Sequence, residues 1–139
     1  MNFLDYMDSD YEGAGYVFIT PNNKILMLQK TNKKWSFPGG HREPGEIPIK
    51  TAMRETQEEI GFMPKGETVN FTKYIKKETN GNCYSFIMKV KEPFGVSLSN
   101  EHINFKWVAF KDIDSLKLSK AVLDLWPNLK QIISAEIQS

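Results

Sequence analysis

Residues 48–60, P-I-K-T-A-M-R-E-T-Q-E-E-I, constrain this chain more than any other stretch. Ile49, Ala52, Met53, Thr56 and Ile60 recur at intervals of 3, 1, 3 and 4, the stripe of an amphipathic helix with one face to bury. Pro48 suits the first helical turn, and Gly61 suits the position just past the last. Another side of the same helix carries Glu55, Glu58 and Glu59, which crowd together because they lie three or four residues apart. Two unit charges about 6 Å apart repel by roughly 3 kcal/mol at an effective dielectric near 20. A hard divalent cation reverses the sign of that term, since Mg²⁺ takes oxygen ligands, and Arg54 offsets part of it otherwise. On its own, E-x-x-E-E also reads as a solvated helix face.

The flanks of this helix supply strands. The run G-Y-V-F-I-T from Gly15 to Thr20 is β-branched and aromatic, Pro21-Asn22-Asn23 has turn chemistry, and Lys24 to Lys30 returns as a second strand. Pro38-Gly39-Gly40 predicts the end of any regular element, and Pro44, Gly45 and Pro48 predict a loop up to about Ile47. Two strands follow at about 68–78 and 83–91 around Thr79-Asn80-Gly81-Asn82, and a last one covers about 104–110. Ser119 starts a helix over 119–137 with Ala121, Val122, Leu125, Leu129, Ile132 and Ile133 on one side, which Pro127 is expected to kink or split. Residues 1–12 read as an irregular acidic lead-in. The order of elements predicts one domain over 1–139, a mixed sheet covered by helices of the α/β or α+β class.

The run from Gly40 to Phe62, G-H-R-E-P-G-E-I-P-I-K-T-A-M-R-E-T-Q-E-E-I-G-F, resembles the signature of the Nudix hydrolases. That signature is written G-x5-E-x7-R-E-U-x-E-E-x-G-U, with U a bulky aliphatic residue. Gly40, Glu46, Arg54, Glu55, Glu58, Glu59 and Gly61 fall on its fixed positions, and Phe62 takes the final bulky one. Thr56 replaces the aliphatic residue after Arg54-Glu55, and its hydroxyl is expected to bond back to the Ala52 carbonyl. Arg42 stands where many members carry an aliphatic residue, so its side chain is expected to face solvent or substrate.

The resemblance implies a Nudix-type α/β/α sandwich, with the box over 40–62 forming its loop and helix. It implies attack of water on phosphorus in a nucleoside diphosphate linked to another moiety, with Mg²⁺ or sometimes Mn²⁺ as cofactor. By position, the metal ligands are Glu55, Glu58, Glu59 and the Gly39 carbonyl. Arg54 orients the glutamates, Glu46 braces the junction of loop and helix, and Gly40 and Gly61 serve the motif's shape. Glu101 occupies the place of a further glutamate found before an x-W-V strand in many members, six residues ahead of Trp107. The general base is thus Glu101, a box glutamate such as Glu58, or His102. Lys30, Trp35, His41 and Arg42 are the candidates for holding substrate. Tyr16, Phe18, Tyr74, Tyr84 and Phe86 read as core, as do Trp107 and Trp126.

The W-x-F-P-G-G entry and E-H-x-x-x-x-W exit resemble small enzymes acting on (deoxy)nucleoside triphosphates or dinucleoside polyphosphates. ADP-ribose or NAD-type substrates, a capped RNA end, and a non-catalytic nucleotide-sensing module are the alternatives. Composition bears on partners. Lys and Arg number 18 against 17 Asp and Glu, a net +1 that argues against a polybasic membrane anchor or an extended nucleic-acid surface. Locally, five glutamates over 43–59 face only Lys50 and Arg54, a balance of −3. The single cysteine, Cys83, suits a reducing compartment, no apolar run approaches the roughly 20 residues of a spanning helix, and the lead-in lacks a signal-peptide pattern. The expectation is a cytoplasmic monomer or homodimer that takes a small nucleotide.

Overall fold

Successive side chains of the strand Gly13–Ile19 (β1) are buried on opposite sides of one sheet, and this alternation sets the layers of the molecule. The computed structural model describes residues 7–138. After β1 come β2 (Lys24–Lys30), β3 (Trp35–Ser36), β4 (Gly39–His41), helix α1 (Pro48–Ile60), β5 (Glu67–Lys76), β6 (Gly81–Lys89) and β7 (His102–Ala109). A 3-10 turn over Phe110–Ser115 leads into helix α2 (Lys120–Gln138).

Val17, Ile19, Ile25, Met27 and Ile87 face one side of the sheet, where Val122, Leu125, Trp126 and Leu129 of α2 cover them. Tyr16, Phe18, Leu26, Leu28, Tyr84 and Phe86 face the other, against Ala52 and Ile60 of α1. The result is the expected α/β/α sandwich around a mixed sheet. Its strand order is β3-β2-β1-β6-β5, with β4 also on β1 and β7 on β2. β1 and β6 run parallel, and the other named pairs are antiparallel.

The sheet opens where the site lies. β1 meets β2 only at Ile19↔Ile25, after which β2 turns to β3 at Leu28 and Gln29. β4 takes the freed length of β1, through Gly13↔His41, Ala14↔Gly40 and Gly15↔Gly39. This corrects the expectation of a continuous loop from Pro38 to Ile47. Glycine here permits close approach rather than a turn, because a Cβ on Gly15 would strike the Pro38 carbonyl.

Other boundaries moved by a residue or two. The β5–β6 loop closes at Lys76↔Gly81, the same four residues long as predicted but shifted two positions earlier, with Asn80 at φ 58° and its N–H on the Lys76 carbonyl at 2.7 Å. β7 starts at His102 instead of 104. Pro127 sits inside α2 without splitting it; both Pro127 and Leu123, whose carbonyl loses a partner, are exposed, so water can serve that oxygen. Residues 7–12 are irregular as expected, and 1–6 lie outside the described residues. No helix among the described residues is long and apolar enough to cross a membrane.

The β1–β4 contact yields a prediction. Gly15→Ala should cost about 1–3 kcal/mol by overpacking, since the Pro38 carbonyl is held by the Tyr16 N–H at 3.0 Å. Urea unfolding checks this, and an unchanged midpoint would contradict the packing described.

Candidate active site

α1 starts at Pro48 with no side-chain cap, and Gly61 ends it at φ 91°, its N–H on the Gln57 carbonyl. Thr51, Ala52, Thr56 and Ile60 are buried, so the helix is pinned by its stripe and presents Glu55 and Glu59 toward the β1–β4 corner. Thr56 does not make the expected bond to Ala52; its hydroxyl is buried without a hydrogen-bond partner.

Arg54 organises the junction. Its Nε donates to Glu46 Oε2 at 2.7 Å and its Nη2 to Glu46 Oε1 at 3.1 Å, a two-pronged pair. Nη2 also donates to the His41 carbonyl at 2.8 Å, while Nη1 reaches Glu55 at 2.9 Å and Glu58 at 3.2 Å. Glu46 accepts further bonds from the Glu43 N–H and the Thr51 hydroxyl, at 2.8 and 2.7 Å. Arg54 first, with those two donors and against the effect of burial, holds the Glu46 carboxyl down at about 2. The Tyr11 hydroxyl, 2.7 Å from the Thr51 hydroxyl and 3.0 Å from the Glu46 carbonyl, completes the brace. Sequence reading missed Tyr11, whose only signal was an aromatic ring in an acidic lead-in.

Glu59 has a different environment. It is buried, and its Oε1 accepts the Gly39 N–H at 2.7 Å. Burial pushes its carboxyl up to about 8, with Glu55 and Glu101 adding to the rise and Gly39 and Lys30 opposing it. Burial likewise raises Glu55, against its pairing with Arg54. A Cβ on Gly40 would strike the Glu55 carboxylate, so a larger residue there would displace that side chain.

The loop before β7 is tied to the end of α1. The Ser97 N–H donates to the Ile60 carbonyl at 3.0 Å and the Ser99 N–H to the Glu59 carbonyl at 3.2 Å. Donor atoms of Glu59, Glu101 and His102 consequently lie within 4.8 Å of one another. Burial lowers the His102 pKa, with Lys30 assisting and Glu101 opposing.

A cleft of about 350 Å³ lies over this corner, lined by Lys30, Gly39, His41, Glu55, Glu59 and Glu101 among others. Tyr74 and Lys76 of β5 line it as well. Tyr74 packs against the core as expected and also reaches the cleft, whereas nothing in the sequence points to Lys76; the cross-strand register Tyr74↔Cys83 carries that strand to the cleft.

Three predicted residues lie elsewhere. Trp35 is only 7% exposed, within the core beneath α2, and the Lys106 ammonium stands 5.6 Å over its ring, so it has no free face for a base. Arg42 packs over the Tyr11 ring at 5.2 Å instead of lining the cleft. The Glu58 side chain is 56% exposed, bonds Arg54, and is absent from the cleft lining. Gly39 approaches the glutamates through its N–H.

These residues fit a divalent cation. Arg54 serves Glu46, Glu55 and Glu58, which leaves the buried Glu59 on a single backbone donor. Both ring nitrogens of His102 are buried and without a hydrogen-bond partner. Oxygen donors converging without a protein counter-charge are what a hard cation requires.

Carboxylates gathered in this way beside Lys30 and His41 suit the hydrolysis of phosphoanhydrides. The chain belongs to the NUDIX family, whose domain model matches residues 11–131. It is 36% identical over 111 residues to the asymmetrical bis(5'-nucleosyl)-tetraphosphatase of Sus scrofa, spanning 72% of this chain and 76% of that protein. It is 33% identical over 116 residues to the m7GpppN-mRNA hydrolase of Saccharomyces cerevisiae, spanning 80% of this chain and 12% of that protein. A C. elegans Ap4A hydrolase binary complex superimposes with a TM-score of 0.76 at 26% identity, covering 91% of this chain and 98% of that one. The NUDIX domain of Shewanella oneidensis NrtR, complexed with ADP ribose, shares the fold with a TM-score of 0.63 at 16% identity, covering 96% and 99%.

The two extreme carboxyls predict opposite pH responses. Glu59, at about 8 in the fold against an ordinary 4.5, keeps a proton that the unfolded chain has released. Its contribution is full below 4.5 and lost as pH rises toward 8. In EDTA, wild-type stability should fall over that window and Glu59→Gln should flatten the slope; parallel urea-unfolding series for the two proteins would contradict this. Glu46, held at about 2, contributes stability that is present above 4.5 and lost as pH falls toward 2. Glu46→Gln should therefore destabilise the protein at neutral pH and reduce its sensitivity to acid, as circular dichroism across an acid titration would record.

Proposed function

We propose that this protein cleaves dinucleoside polyphosphates asymmetrically with Mg²⁺, with Mn²⁺ as a substitute and nucleoside triphosphates as the next substrate class. The observation that carries the reading is the convergence of Glu55, Glu59 and Glu101 on a cleft that also presents Lys30 and His41. The 36% identity to an asymmetrical tetraphosphatase supports the substrate class. A cytoplasmic location belongs to the same proposal, supported by the free, buried Cys83, as does a monomer or homodimer.

Glu55 and Glu59, with the Gly39 carbonyl, would hold the cation, joined by Glu58 at the expense of its bonds to Arg54. A bound divalent ion neutralises charge on pyrophosphate oxygens and lowers the pKa of water. Glu101, exposed on the loop before β7, takes the proton of the attacking water as general base. Lys30 and His41, which line the same cleft, bind phosphate oxygens. Arg54 touches no substrate; it positions Glu55 and Glu58, and Glu46 in turn holds Arg54.

Hydrolysis of a broad nucleotide panel in ¹⁸O-labelled water tests the reading. A dinucleoside tetraphosphate should give a triphosphate and a monophosphate, with ¹⁸O in one product identifying the phosphorus attacked. Preferred turnover of ADP-ribose or a capped dinucleotide would overturn the substrate assignment, and no turnover with either metal would overturn the enzymatic one. Glu101→Gln should lower kcat by about 100-fold or more with little change in KM, as loss of a general base requires. Unaltered kcat would return that role to a box glutamate.

A further inference from the structure

We propose that His102 is itself a metal ligand, and that its imidazole biases the site toward first-row transition cations, Mn²⁺ above Mg²⁺. The inference rests on the reading that this cleft binds a divalent cation, and it adds the identity of one donor and its effect on metal choice.

Three observations support it. The His102 side chain is 1% exposed, yet neither ring nitrogen has a hydrogen-bond partner. Buried polar atoms are ordinarily satisfied, so an imidazole orphaned at both nitrogens indicates a missing neighbour. Its Nε2 lies 3.6 Å from Glu59 Oε2, beyond the 2.7–3.2 Å of a good hydrogen bond. Two donors each about 2.1 Å from one ion stand roughly 3–4 Å apart, so the spacing suits a shared cation. Finally, a carboxylate oxygen of Glu101 lies within 4.8 Å of both donors, beside the same position, as its role of general base requires.

The backbone fixes this placement. His102 opens β7 opposite Lys30, beyond an irregularity between Gln29 and Lys30, and its N–H donates to the Ser99 carbonyl at 3.2 Å. Ser99 is in turn bonded to Glu59. The imidazole is thus carried to the glutamate by the strand rather than by a free loop. An all-oxygen set suits Mg²⁺ and Mn²⁺ alike, whereas an imidazole nitrogen adds affinity for first-row transition ions, Mn²⁺ the weakest of them, and little for Mg²⁺.

Electron spin-echo spectroscopy of the Mn²⁺-loaded full-length chain tests this directly. The chain has two histidines, and the other, His41, lines the cleft beside Glu59, so both are varied. The wild type should show ¹⁴N modulation that changes to the ¹⁵N pattern when histidine alone is ¹⁵N-labelled. His41→Phe should keep it and His102→Phe should lose it. By calorimetry, His102→Phe should raise the Kd for Mn²⁺ at least tenfold and that for Mg²⁺ less than threefold. Should His102→Phe fail to fold, the wild-type and His41→Phe spectra still decide. Mn²⁺ bound without histidine modulation, or modulation lost in His41→Phe, overturns this inference alone. No Mn²⁺ binding overturns it together with the cation reading.

Discussion

The site depends on two stretches of backbone meeting without side chains between them. Gly13, Gly15, Gly39 and Gly40 let β1 and β4 pair so closely that a Cβ at any of them would collide with a neighbour. That contact carries the Gly39 N–H to Glu59 and leaves beside Gly40 the space that the Glu55 carboxylate occupies. It also accounts for the opening in the sheet, since β4 sits where β2 would otherwise continue along β1. Glycine loses the most freedom on folding, so four of them in such a contact are costly unless close approach itself is needed.

Charge is divided as sharply as space. Glu46 and Glu59 are the same residue type in one motif, yet their carboxyls are moved to about 2 and about 8. The difference lies in the partners: Glu46 receives the guanidinium, a backbone N–H and a hydroxyl, whereas Glu59 is buried with one backbone N–H. The first arrangement is a brace and the second is receptive to a cation. A net charge of +1 over the chain conceals this, because the local excess of carboxylates is offset by lysines and arginines elsewhere.

Much of this was legible in the sequence where the cause is local. Helix 48–60 has the predicted bounds, because the apolar stripe, Pro48 and a left-handed Gly61 all act within a few residues. The strands were legible from their β-branched and aromatic runs, and only their ends moved, since the closing pair Lys76↔Gly81 depends on how two strands align. Errors fell where a distant segment decides. Pro-Gly-Gly read as a breaker because nothing local reveals that Gly13–Gly15 lies opposite. Trp35 read as a ligand platform because its burial beneath α2 comes from residues more than eighty positions away. Thr56 kept its hydroxyl unpaired although a local bond was available.

The sequence by itself determined the inventory: a helix of fixed period, three carboxylates on it, an arginine between them, and strands with two apolar faces. These follow from spacing, which the periods of helix and strand convert into faces without further information. Tertiary structure decided allegiance. It assigned Arg54 to Glu46, Glu55 and Glu58, buried Glu59, turned Glu58 outward, and brought Glu101 and His102 from over forty residues away to the same corner. Those outcomes depend on which surfaces meet, and burial and pairing are properties of the meeting rather than of either segment alone.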